Sequence, residues 1–133
     1  MAEEVLVKGT LTNEMIDAGA ELIRRLDEAK LTVTTSFWWY LSESDIWRLL
    51  IASPELKKDG PKKVYKKIEA ILSKIPVEKR LALKDISVVQ SDDPLIASLR
   101  TGIKTGQSIS GVSVTASAIN GRFIDNAFIY RST

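Results

Sequence analysis

Six lysines crowd into eleven residues: Lys57, Lys58, Lys62, Lys63, Lys66 and Lys67. On a helix, Lys62 and Lys66 stack at i,i+4, as do Lys63 and Lys67, and like charges at that spacing weaken a helix by a few tenths of a kcal/mol per pair. An anion set among them would relieve the repulsion, so the cluster reads as an anion-binding or nucleic-acid-binding surface. Read against that, it is a solvated helix face, because lysine without arginine commonly serves solubility.

The second concentration is aromatic. Ser36-Phe37-Trp38-Trp39-Tyr40 holds two of the three tryptophans. Period-two alternation joins Phe37 and Trp39 to Leu31 and Val33, a core face. It leaves Trp38 and Tyr40 beside Thr32, Thr34 and Ser36, a polar face turned outward. Rigid exposed rings suit an interface, since they offer large area at low entropic cost. If residue 39 pairs with residue 47 across the hairpin, Trp38 sits beside Arg48. Shifted by one, Tyr40 packs on Trp47. Trp38, Tyr40, Trp47, Arg48 and Tyr130 are therefore the candidate interaction surface.

A third constellation is Asp45 with Glu55-Leu56-Lys57. An Asp followed by Glu-x-Lys, with Glu14 or Glu21 as a helical acid, is the arrangement by which some nucleases hold Mg and activate water. Pro54 interrupts the chain where Glu55 and Lys57 would have to be held on a strand. Asp92 and Asp93 precede Pro94 and read as a helix cap.

What is missing bounds the chemistry as firmly. The chain contains no histidine and no cysteine. Imidazole bases, thiol nucleophiles, disulfides and His or thiolate metal ligands are thereby removed. No phosphate loop, nucleophile elbow or dinucleotide fingerprint occurs. No catalytic residue, metal-ligand set or cofactor is assigned, and the expectation is of a protein that is not an enzyme. The N-terminal residues lack a basic stretch leading into an apolar one, and no apolar run is long enough to span a bilayer. A cytoplasmic protein with no membrane partner is expected. The net charge of +2 hides a polarised chain, with seven acids and four bases in residues 1–30 against four acids and nine bases in residues 54–80.

These side chains need elements to hold them. Thr12 or Asn13 caps a first helix with an apolar stripe at Ile16, Ala20, Ile23 and Leu26. Two strands follow, Leu31–Leu41 and Ile46–Ser53, joined by turn residues 42–45. Gly60-Pro61 opens a lysine-rich helix running to Pro76. A strand centred on Ile86, Val88 and Val89, a short helix from Pro94, and a C-terminal hairpin turning at Asn120-Gly121 complete the order α-β-β-α-β-α-β-β. Residues 1–12 read as a frayed end or a short edge strand built on Val5 and Val7. The expectation is a single α+β domain over 1–133, two-layered, with a mainly antiparallel sheet of about five strands and three helices.

The stretches AGAELIRRLDEA, FWWY, WRLLIASPEL, GPKKVYKK and INGRFIDNAFIY resemble small uncharacterised bacterial α+β proteins, over roughly residues 13–131. That resemblance implies a self-contained domain and no assigned activity. The resulting expectation is a non-enzymatic protein-interaction module, self-associating as a homodimer through its aromatic face. Polyanion or nucleic-acid binding by the lysine helix is the alternative, and an Mg-dependent nuclease the third reading.

Overall fold

The computed structural model describes residues 11–119 and 122–133. Helix α1 spans Asn13–Glu28, capped by Thr12, whose hydroxyl accepts the Met15 amide at 3.1 Å. Its inward face carries Ala18, Gly19, Leu22, Ile23 and Leu26. Strands β1 (Thr35–Leu41) and β2 (Ile46–Ala52) form the expected antiparallel hairpin. A short helix α2 (Glu55–Asp59) then leads through Gly60 into α3 (Pro61–Leu72). Strand β3 (Ile86–Val89), helix α4 (Pro94–Gly102), and strands β4 (Val112–Ile119) and β5 (Arg122–Ser132) follow.

The five strands lie in the order β3-β2-β1-β5-β4. All neighbours are antiparallel except β2 and β3, which α2 and α3 connect as a parallel pair. The fold is thus α+β with a mainly antiparallel sheet. Ile119 pairs with Arg122, so the C-terminal hairpin is present. Its expected turn residues Asn120-Gly121 lie outside the described residues, as do Val5 and Val7. No helix among the described residues is long and apolar enough to cross a membrane.

Two boundaries differ from the sequence reading. Residues 55–59, read as loop, form α2. Helix α3 ends at Leu72 rather than at Pro76, yet Ile75 is still buried, because the Lys74 and Ile75 amides donate to the Ile71 and Leu72 carbonyls and curl the chain inward before that proline.

Both faces of the sheet are covered. Under α1 and α3 lies a cluster that includes Leu22, Ile23, Leu26, Trp38, Leu49, Ile51, Val64, Ile68 and Tyr130. On the other side, Phe37, Leu50, Ala52, Ala127 and Ile129 pack on Leu95, Ile96 and Leu99 of α4. A bulge sits where β1 meets β5: Ser36 pairs with Arg131 and Phe37 with Ile129, leaving Tyr130 without an opposite residue. The extra residue lets Tyr130 and Arg131 both reach α1. The Tyr130 hydroxyl donates to the Ile16 carbonyl at 2.6 Å, and Arg131 grips the Asp27 carboxylate at 3.0 and 2.7 Å.

Candidate functional site

The aromatic surface does not form as expected. Trp38 is 0% exposed and Tyr130 is 1% exposed. The Trp38 indole N–H donates to the Tyr130 hydroxyl at 2.8 Å, making a buried relay from indole to phenol to helix carbonyl. Gly19 permits this crossing. A Cβ there would collide with the Tyr130 hydroxyl and lie 2.9 Å from its Cζ and 3.0 Å from the Trp38 indole nitrogen. The face read as outward is therefore the one beneath α1 and α3. Of the polar neighbours that suggested exposure, Thr32 is exposed and Thr34 half-buried, but Ser36 is 0% exposed, its hydroxyl satisfied by the Leu50 carbonyl at 2.9 Å.

The hairpin register is the second of the two weighed. Tyr40 pairs with Trp47, ring centroids 5.2 Å apart, while Trp38 lies opposite Leu49. Tyr40 and Trp47 are half-buried, and the Tyr40 hydroxyl donates to Asp45 at 2.5 Å. Arg48 pairs with Trp39 and sends its guanidinium to the Ser87 hydroxyl at 2.9 Å and the Ile86 carbonyl at 3.3 Å. It clamps β2 to β3 and does not stack on Trp38.

The nuclease constellation does not assemble either. Asp45 precedes β2 and Glu55 follows it, so a seven-residue strand separates them. At roughly 3.3 Å per residue that is more than about 20 Å, far too great for one shared ion. The Glu55 carboxylate accepts the Thr32 amide at 2.8 Å and faces Lys67 at 3.5 Å. Glu21 is held by Arg25 at 2.7 Å and by Arg24, the Arg25 bond being the main reason its carboxyl titrates below the usual range. No group of three acids able to hold a metal ion occurs among the described residues. Asp93 caps α4, accepting the Leu95 amide at 2.9 Å, as expected of that residue.

The lysines, in contrast, come together. Helix α3 is anchored from below by Val64, Ile68 and Leu72, and at its side by the Tyr65 hydroxyl, which accepts the Val88 amide at 2.8 Å. Gly60, at φ 86°, turns the chain between α2 and α3 in a conformation that a side chain would strain. Lys57 and Lys58 end α2, while Lys62, Lys63, Lys66 and Lys67 follow on α3; all six are exposed. Lys67 lies between Asp59 at 3.4 Å and Glu55 at 3.5 Å; the Asp59 hydrogen bond leads in raising its pKa. Lys57 reaches Asp92 only at 4.0 Å. Lys58, Lys62, Lys63 and Lys66 have no carboxylate within ion-pair distance among the described residues.

The sequence pattern placed these lysines together but could not sort them. Only the fold shows that Glu55 and Asp59 are spent on Lys67. Two further residues escaped sequence reading, Gly19 and the buried Arg131, because their partners lie on another element. No family model, curated protein or solved structure matches the chain.

Proposed function

We propose that this domain is a non-enzymatic binding module that holds a phosphate-bearing polyanion against the α2–α3 lysine face. The observation that carries the reading is the set of four exposed lysines, Lys58, Lys62, Lys63 and Lys66, with no acidic partner among the described residues.

Local physics supports it. The first turn of α3 contains Lys62 and Lys63 and no acid, and its N-cap Gly60 has no side chain to cap it. Positive charge at a helix N-terminus opposes the helix dipole by about 0.3–1 kcal/mol per group. The i,i+4 repulsion adds to this. Local choices that work against the element they sit in tend to mark function. An anion over this turn would reverse the sign of every one of those terms. The aromatic self-association that the sequence suggested has lost Trp38 and Tyr130 to the core, which leaves the lysine face as the better-supported surface.

The test is binding of a labelled DNA duplex, with heparin as a non-nucleic polyanion, across a salt series. Four phosphate contacts give a slope of log affinity against log salt of roughly −3 to −4. Reversing Lys58, Lys62, Lys63 and Lys66 to Glu should abolish binding. The same charge change at Lys74, Lys79, Lys84 and Lys104 should leave most of it. Equal loss from both sets, or affinity indifferent to salt, would remove the reading.

A further inference from the structure

Helix α2 has little packing to hold it in place. It is five residues long, none of them buried, and no side chain caps its first turn. A helix that short has almost no stability of its own in water. Leu56 is its one apolar side chain, half-buried at the margin of the core. The joint to α3 is open, since a Cβ at Gly60 would meet nothing within 4 Å. Charge supplies what packing does not. Lys67, in the second turn of α3, reaches back to both ends of α2, to Glu55 at 3.5 Å and to Asp59 at 3.4 Å. Those two carboxylate side chains are only 17% and 21% exposed. They are well shielded compared with an open surface pair, which contributes little. Glu55 also accepts the Thr32 amide at 2.8 Å, which ties α2 to the segment between α1 and β1.

From these contacts we infer that Lys67 is a positioning residue of the anion surface, holding α2 so that Lys58 stands alongside Lys62, Lys63 and Lys66. The inference rests on the polyanion reading above. It gives two acids within a lysine cluster a task. Glu55 and Asp59 repel an anion, and a face built for charge alone would do without them. Lys67 in turn faces two carboxylates, so it has the least to offer a phosphate. The six lysines of the sequence thus divide by role. Four meet the ligand, Lys67 holds the frame, and Lys57 lies toward Asp92 at 4.0 Å.

The test is binding of a labelled DNA duplex by the full chain, with substitutions made singly and together. In the wild type, Lys58→Ala should weaken binding by at least ~5-fold and make the salt slope shallower by about one. With Lys67→Met in place, adding Lys58→Ala should cost less than ~2-fold, because α2 no longer presents that lysine, whereas independent contacts would multiply. Lys67→Arg keeps the charge and can span both carboxylates, so it should restore the full effect of Lys58→Ala. Glu55→Gln with Asp59→Asn makes the face more positive, yet Lys58→Ala should again cost less than ~2-fold in that background. A second measurement reads α2 directly. The chain contains no cysteine, so spin labels on Lys58→Cys and Ser73→Cys, both exposed positions, report a single distance. Its distribution should be narrow with Lys67 and broad with Lys67→Met. Equal losses from Lys58→Ala in every background, or a distribution that stays narrow in Lys67→Met, overturn the inference and leave the lysine face standing. No binding by the wild type removes the face itself, and the inference with it.

Discussion

The most constrained residue is Tyr130. It accepts from Trp38, donates to the Ile16 carbonyl, and lies against Gly19. Burial drives its phenol well above the usual tyrosine range, the Trp38 hydrogen bond offsetting part of the shift and nearby Asp17 adding to it. A raised folded-state pKa favours the folded protein only while the unfolded phenol is still protonated. Stability is therefore complete below about pH 10, the unfolded value, and falls as pH rises above it. Tyr130→Phe should lose about 1–3 kcal/mol at pH 7, because the buried Trp38 indole N–H loses its acceptor and the Ile16 carbonyl loses a second donor. It should also flatten the alkaline decline, which urea titrations between neutral pH and pH 11 would measure. Gly19→Ala should cost about 1–3 kcal/mol through the collision with the Tyr130 ring, since a well-packed core resists an added carbon. Were its thermal midpoint unchanged, the Trp38–Tyr130 relay would not be as tight as described.

At the scale of the element, α3 shows how binding and stability pull apart. Its lysines repel one another and oppose the dipole. Lys62→Glu or Lys63→Glu should therefore stabilise the free protein by roughly 0.3–1 kcal/mol while weakening polyanion binding. Opposite signs in the two measurements are the signature of a site. A loss of stability from both substitutions would mean the lysines support the helix in some other way. β1 explains why the aromatic reading failed. Alternation separates core from solvent only when one face is wet. Here Thr35, Ser36, Phe37 and Trp38 are all buried in succession, so polar neighbours carried no information about exposure. The register of β1 against β2 was open as well, since either pairing sets one aromatic against Arg48 and another against Trp47.

At the scale of the whole molecule, the Asp27–Arg131 pair ties the end of the chain to its first helix across 104 positions. Arg131 is buried with 4% of its side chain exposed, while the Asp27 side chain is 41% exposed. Removing Asp27 leaves a buried guanidinium without its counter-charge. Asp27→Ala should cost about 2–4 kcal/mol, less than a fully enclosed pair because water reaches the carboxylate. Arg131→Met, which removes the charge, should cost less than Asp27→Ala in the same denaturation assay.

The amino-acid sequence alone determined the local structure: the Thr12 and Asp93 caps, the β1–β2 hairpin, the Gly60-Pro61 opening of α3 and the clustering of the lysines. Each depends on residues a few positions apart, where steric and hydrogen-bonding rules act directly. Which way Trp38 faces, and which lysine is answered by carboxylates, were decided only by tertiary structure. Those properties depend on what a distant segment brings: α1 over Trp38, and Glu55 and Asp59 beside Lys67. Burial and charge pairing are relations between elements, and no spacing along one strand or helix contains them.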